Sequence, residues 1–145
     1  MLFFLYGADT YRIKEKIDDI VTTYRKKNPN SLSLIQLDMS EESLEAVYEN
    51  LSVFSIFSEK KLLILSNVFS DATKGQEMAQ CFKDKQIAKE EDVVLIIREG
   101  GEVKKQKKSE GDLVDFLFSS GKCQEFKLLN FYRIPILERG ALVEP

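Results

Sequence analysis

The sequence predicts an α/β domain in which helices cover both faces of a five-stranded parallel sheet. Short strand-like stretches, three of them wholly apolar, alternate along the chain with stretches whose apolar residues recur at helical spacing. A strand buried on both faces is continuously apolar, and this pattern is typical of parallel sheets. The five strand-like stretches span residues 2–6, 32–37, 62–65, 93–97 and 123–129.

The first helix is predicted to follow the turn Gly7-Ala8-Asp9, because Asp9 or Thr10 can accept hydrogen bonds from the free amides at a helix start. It should end at Asn28-Pro29-Asn30, since proline disfavours the helical conformation in the residue before it. Its buried face is predicted to consist of Ile13, Ile17, Ile20, Val21 and Tyr24, which follow helical spacing.

Three more helices are predicted between the later strands. The second should begin at Ser40 as N-cap, the third at Asp71, and the fourth should end at Gly121 as C-cap. No linker-like stretch is evident before residue 129, so residues 1–129 are predicted to form one domain, followed by a tail at 130–145. The predicted apolar sides are Leu44, Val47, Tyr48 and Leu51, then Met78, Cys81 and Phe82, then Leu113, Val114, Phe116, Leu117 and Phe118.

The composition is that of a globular chain without recognisable catalytic machinery. Of its 145 residues 43% are hydrophobic and 31% charged, and the net charge of −3 gives no general attraction for nucleic acid. The absence of histidine excludes Ser/His and Cys/His nucleophile systems and removes the commonest metal ligand. We expect no signal peptide, no membrane span, no cofactor, no metal and no catalytic residue. Cys81 and Cys123 are predicted to be reduced core thiols in a cytoplasmic protein.

The turn after the first strand is the place where many folds of this class hold phosphate groups. A phosphate-binding loop of the GxxxxGK[ST] type supplies a lysine and a hydroxyl beside several backbone amides. Residues 7–12 here read GADTYR, with one glycine, no Lys-Ser/Thr pair and a carboxylate at Asp9 that repels phosphate. The turn is therefore predicted to be a capped helix start that does not support nucleotide hydrolysis.

The connection between the second helix and the third strand, LSVFSIFSEKKLLIL, is apolar where a polar surface loop is expected. One interpretation is that all its apolar side chains fill the gap between helix and sheet. The other is that Ile56 and Phe57, which lie next to a polar stretch, are exposed and anchor a partner protein, at about 1.5–3 kcal/mol for each buried side chain. The neighbours Val53 and Phe54 are predicted to point inward. Supporting residues of this candidate site are Val53, Phe54, Ser55 and Ser58.

A lysine-rich run follows the fourth strand, and its usual interpretation is a solvated surface. No aromatic residue interrupts it, so stacking of nucleic-acid bases has no platform there. A contact with DNA phosphates is a weaker alternative. The residues concerned are Lys104, Lys105, Lys107 and Lys108.

Four stretches of the chain share a pattern with one known family. They are FLYGADTY at residues 4–11, LSVFSIFSEKKLLIL at 51–65, VVLII at 93–97 before the lysine-rich turn, and GKCQEFKLL at 121–129. Through them nearly all of residues 1–129 resembles the N-terminal domain of the delta subunit of the bacterial DNA polymerase III clamp loader. The second stretch is the most specific of the four.

The resemblance implies an AAA+ domain, related to P-loop NTPases, whose phosphate loop is defunct. It implies a non-catalytic accessory subunit of a DNA polymerase holoenzyme, which binds the sliding clamp (the beta subunit) and helps to open it during DNA replication. By position, the family's clamp-binding pair is Ile56 and Phe57 here. ATP hydrolysis would belong to sister subunits, and DNA contact would be weak or indirect.

The chain departs from the family in its C-terminal part. Family members continue into a lid domain and a collar domain, and the collar joins the other loader subunits. This chain ends at Pro145, so we expect a fragment or a truncated product. The tail at residues 130–145 does not resemble the family's linker and is assigned no function.

Two alternatives remain open on the residues alone. A phospho-receiver domain has a similar size and element order, but it needs an acidic pair after the first strand and an aspartate after the third. The chain offers Tyr6-Gly7-Ala8 and Ser66-Asn67 at those places. Another nucleotide-binding α/β domain is disfavoured by the turn at residues 7–12.

Overall fold

The computed structural model describes residues 1–29, 32–52, 60–69, 72–87, 92–101 and 108–128. Strands and helices alternate through these ranges, as the spacing of apolar residues predicts. No helix in the described ranges is both long enough and apolar enough to cross a membrane. The elements are β1 (Leu2–Gly7), α1 (Thr10–Lys27), β2 (Leu32–Asp38), α2 (Leu44–Ser52), β3 (Lys60–Ser66), α3 (Ala72–Asp84), β4 (Val93–Gly100), α4 (Lys108–Ser120) and β5 (Lys122–Glu125).

The strands form one five-stranded sheet in the order β2-β3-β4-β1-β5, and each neighbouring pair is parallel. One row of apolar side chains runs across the sheet, where Leu63 lies opposite both Ile35 and Leu95, and Leu95 lies opposite Leu2. The predicted parallel α/β sheet is therefore confirmed. The connection that follows β1 leads towards the β2 edge of the sheet, and the connection that follows β4 leads towards the β5 edge. The carboxyl ends of the adjacent strands β1 and β4 are therefore the topological switch point of the sheet.

Helices cover both faces of the sheet, and each face has its own core. Ile13, Ile17 and Ile20 of α1 are buried against Leu62, Ile64 and their neighbours on one face. The second core is larger because α2, α3 and α4 share the other face. Their buried residues include Val47, Leu51, Met78, Cys81, Phe82, Leu113, Phe116 and Leu117, packed on Phe4, Leu63, Leu65, Leu95 and Ile97.

The predicted N-cap at Ser40 is wrong. Its backbone amide and hydroxyl both donate to Asp38 Oδ1, at 3.0 and 2.6 Å, so Ser40 belongs to a turn that follows β2. Helix α2 begins four residues later, at Leu44. In contrast, Asp9 is the N-cap of α1 as predicted, since its Oδ1 accepts from the Arg12 amide at 3.1 Å.

Two aromatic residues that were predicted on buried helix sides are partly exposed. Tyr48 is 38% exposed, because Val47 and Leu51, one turn apart, take the inward direction of α2. Phe118 is 44% exposed at the end of α4, where its ring edge still meets the rings of Phe4 and Tyr6 at centroid distances of 5.6 Å.

Cys81 is a buried free thiol, as predicted, but Cys123 is exposed. The reason is that β5 lies at the edge of the sheet and all four of its residues are exposed. The strand is also shorter than predicted, because it ends at Glu125 before Phe126 turns into the core beneath α1.

Candidate functional site

The turn between β1 and α1 uses its amides for hydrogen bonds within the protein. The Asp9 amide donates to the Phe126 carbonyl at 3.0 Å, and the Thr10 amide donates to the Ala8 carbonyl at 3.1 Å. The Arg12 amide donates to the Asp9 carboxylate. These are the donors that a phosphate group at a helix start would need, so the turn is built as a closed connection.

The backbone of the segment after β5 closes over this turn. Gly7 has φ +134°, and a β-carbon placed on it would lie 2.2 Å from the Phe126 carbonyl oxygen. The Phe126 amide donates to the Tyr6 carbonyl at 2.7 Å, and Arg12 lies 5.5 Å from the centroid of the Phe126 ring. Glycine is therefore required at this position because the backbone of Phe126 approaches it too closely to leave room for a side chain.

A polar cleft of about 570 Å³ lies at the carboxyl ends of β2, β3 and β4, beside Thr10. Its best-defined group is the carboxylate of Asp38, which accepts hydrogen bonds from Ser40 and from the Asn67 amide at 2.8 Å. These hydrogen bonds lower the pKa of Asp38, so the carboxylate is charged at neutral pH. Arg98 also lines the cleft. Nowhere in the described ranges do three or more His, Cys, Asp or Glu residues form a group that could hold a metal ion.

Glu99 is a half-buried titratable residue that lies two residues beyond the predicted end of the fourth strand. It lies in β4 on the same side as Leu95 and Ile97, which face the larger core. Burial raises its pKa to about 6, although amide donors at Val68 and Phe69 act in the opposite direction. The alternation of inward residues along β4 was the signal that could have identified it.

We expect Glu99→Gln to remove a pH-dependent loss of stability. The folded-state pKa of about 6 exceeds the ordinary value of 4.5, so the native state binds the proton more tightly and is favoured below pH 4.5. That advantage disappears as the pH rises through 6, at a cost of about 1 kcal/mol after allowance for solvent screening. In urea unfolding at a series of pH values, the free energy of unfolding of the variant should increase relative to that of the native chain as the pH rises. Parallel pH profiles for the two proteins would contradict the assignment.

The connection predicted to bind a partner runs from the end of α2 to the start of β3, and the structure describes the residues at both of its ends. Leu51, in the last turn of α2, is 5% exposed. The Lys61 ammonium, at the start of β3, donates to the Asn50 carbonyl at 2.9 Å and so ties the strand to the end of that helix. Lys60 lies with its Nζ 5.4 Å from the centroid of the Tyr24 ring of α1. Both ends of the connection are therefore anchored at the amino-terminal edge of the sheet.

The predicted site residues themselves lie outside the described ranges. This holds for Val53, Phe54, Ser55, Ile56, Phe57 and Ser58, and for Lys104, Lys105 and Lys107. Lys108 is the first residue of α4, but its side chain is not among those described. The assignments of clamp binding and of weak DNA contact remain predictions.

Comparison with known proteins agrees with the geometry. The family model described as DNA polymerase III, delta subunit, matches residues 3–127. Among solved structures, the chain is similar to the Bacillus subtilis DNA clamp loader delta protein, with a TM-score of 0.63 and 19% sequence identity over 89% of this chain and 39% of that chain. A search of curated proteins found no match. Because the family model spans most of the sequence, this chain belongs to the DNA polymerase III delta subunit family, whose N-terminal region it represents.

Proposed function

We propose that the chain binds the bacterial sliding clamp and helps to open it, with Ile56 and Phe57 as the anchoring side chains. The family match over residues 3–127 carries the proposal. Its local support is the apolar sequence of the connection between α2 and β3, together with the anchored residues Asn50 and Lys61 at its two ends. A short segment with fixed ends presents its side chains at a low cost in conformational entropy.

Clamp opening follows from unequal binding to two states of the ring. The apolar pair enters a pocket on the clamp near one of the ring's closed interfaces. If the pocket fits the pair better when that interface is loosened, then the contact free energy shifts the population towards the open ring. The delta chain needs no chemical step of its own for this task. Contacts with other loader subunits would belong to domains beyond this chain, in the cytoplasm where the loader works.

A binding titration tests the proposal. The intact chain is titrated against a purified bacterial sliding clamp by analytical ultracentrifugation, and we expect a saturable complex at micromolar concentrations. A fluorescent reporter across the clamp interface should show opening on the same concentration scale. If no complex forms at about 100 μM, the affinity is weaker than roughly −5.5 kcal/mol and the proposal fails.

We predict that the chain neither binds nor hydrolyses ATP. The amides of Asp9, Thr10 and Arg12 are already used within the protein, and the carboxylates of Asp9 and Asp38 oppose a phosphate group at this edge. A ligand that binds the folded chain and is present far above its Kd raises the free energy of unfolding. Because we expect no binding, melting curves with millimolar Mg-ATP should match those without it. A rise of several degrees in melting temperature would restore the nucleotide-binding alternative.

The phospho-receiver alternative receives no support. Receiver domains have the strand order 2-1-3-4-5, whereas this sheet has the order 2-3-4-1-5. The end of β3 offers Ser66 and Asn67 in place of a phosphate-accepting aspartate. Lys104, Lys105, Lys107 and Lys108 remain candidates for a weak contact with DNA phosphates.

A further inference from the structure

Three lysines lie at the amino-terminal edge of the sheet, on the face covered by α1, and a fourth, Lys16, lines a cleft with two of them. Parallel strands begin at one edge, which brings Lys60 at the start of β3 and Lys122 at the start of β5 to the same side of the domain. Lys27 is the last residue of α1, which returns to this edge, and Lys16 lies earlier on the same helix. We name Lys16, Lys27, Lys60 and Lys122 the amino-edge lysine cluster.

Aromatic rings contact three of these ammonium groups. The Nζ atoms of Lys27 and Lys60 lie 5.8 and 5.4 Å from the centroid of the same Tyr24 ring. Lys122 Nζ lies 5.6 Å from the centroid of Phe3. Lys16, Lys27 and Lys122 line a shallow cleft of about 340 Å³ together with both rings.

Within the described part of the chain, the positive charge of the cluster has no ion-pair partner. None of its four lysines forms an ion pair or hydrogen bond with another described residue, and Asp19 is the one acidic residue among the described residues that line the cleft. Cation–π attraction explains where the ammonium groups of Lys27, Lys60 and Lys122 lie. It does not explain why like charges converge on one edge of a chain whose net charge is −3.

We propose that the amino-edge lysine cluster receives an acidic surface of the sliding clamp, next to the pocket that takes Ile56 and Phe57. This inference rests on the proposed function. Lys60 is the first described residue after the connection that carries the apolar pair, so the cluster begins where that connection rejoins the sheet. Charged groups beside an apolar anchor chiefly guide the encounter and set the association rate, while the anchor sets the dissociation rate.

A protein surface fits the cluster better than nucleic acid does. Single-stranded nucleic acid is usually held by stacking of its bases on open aromatic faces between cationic groups. Here the Tyr24 and Phe3 rings already carry lysine ammonium groups. A rim of lysines without free aromatic faces instead matches scattered carboxylates on a folded partner.

Charge reversal with a matched control tests the inference on the intact chain. Lys27→Glu/Lys60→Glu alters the cluster, and Lys14→Glu/Lys127→Glu makes the same change in net charge elsewhere. Stopped-flow association with the clamp at low salt should be about tenfold slower for the first variant and within about twofold of native for the second. Dissociation rates should stay near native, and the difference should vanish at about 0.5 M salt. Melting curves verify folding of both variants.

The outcomes separate this inference from the proposed function. If the cluster variant associates as fast as its control, or if native association does not slow with salt, the inference fails while clamp binding stands. If the native chain does not bind the clamp, both fail. If the variant loses affinity for a single-stranded oligonucleotide of about 30 nucleotides yet associates normally with the clamp, the cluster is a nucleic-acid site and the inference is overturned.

Discussion

Ile56→Ala/Phe57→Ala should weaken binding of the chain to the sliding clamp by at least about 2 kcal/mol, which is roughly thirtyfold in Kd. Both truncations remove apolar area that would be buried in the partner's pocket, and each large side chain contributes about 1.5–3 kcal/mol when it is fully buried. The loss should appear mainly in the dissociation rate, because anchoring residues act after the encounter. Surface plasmon resonance with immobilised clamp measures both rates.

Stability distinguishes an exposed anchor from a core residue. If Ile56 and Phe57 serve the partner, the free energy of unfolding of the double variant should stay within about 1 kcal/mol of native. Val53→Ala/Phe54→Ala is the comparison, because this neighbouring pair is predicted to point inward and to support the site from within, so it should lower stability more than affinity. Normal clamp affinity together with a much lower melting temperature in Ile56→Ala/Phe57→Ala would show that the pair is core.

Gly7→Ala should cost at least about 3 kcal/mol of folding free energy. Two effects add at this position. The φ of +134° is one that residues with a side chain rarely adopt, and the added β-carbon would meet the Phe126 carbonyl oxygen at 2.2 Å. Relief would require the backbone after β5 to move away from the turn, which would break the bond from the Asp9 amide to Phe126.

Gly101→Ala is the control that separates the two effects. Gly101 also has positive φ, +126°, but a β-carbon there would have no neighbour among the described residues within 4 Å. In chemical denaturation, the free energy of unfolding should therefore fall less for Gly101→Ala than for Gly7→Ala, and the difference should be about 2 kcal/mol. Equal losses for the two variants would mean that the close approach of residue 126 is not what makes glycine necessary at the turn.

Periodicity and local chemistry were enough to predict the elements of this fold. The run from Val93 to Ile97 is continuously apolar because both faces of β4 are covered, and Asp9 caps α1 because its side chain reaches the Arg12 amide. The order of the strands in the sheet could not be predicted in this way. No local pattern specifies that β1 lies between β4 and β5, and no strand order was predicted from the sequence.

The errors arose where a neighbouring side chain, or the place of a strand in the sheet, decides between options that the residue type leaves open. Ser40 is a good N-cap residue by type, but Asp38 is two residues away and holds it in a turn. Cys123 was predicted to lie in the core as part of the fifth strand, but that strand lies at the sheet edge. The same limit applies to Ile56 and Phe57. Their apolar side chains can be read from the sequence, but whether the protein's own core or a partner buries them cannot. Their proposed role as an anchor rests on the family pattern.

The heat capacity change of clamp binding tests most directly whether two apolar side chains anchor the complex. Burial of apolar surface gives a negative heat capacity change, whereas contacts between exposed charges do not. Isothermal titration of the clamp at several temperatures should give a clearly negative value for the native chain and a much smaller magnitude for Ile56→Ala/Phe57→Ala. Equal heat capacity changes for the two proteins, at equal affinity, would contradict the assignment of this pair as the clamp-binding element.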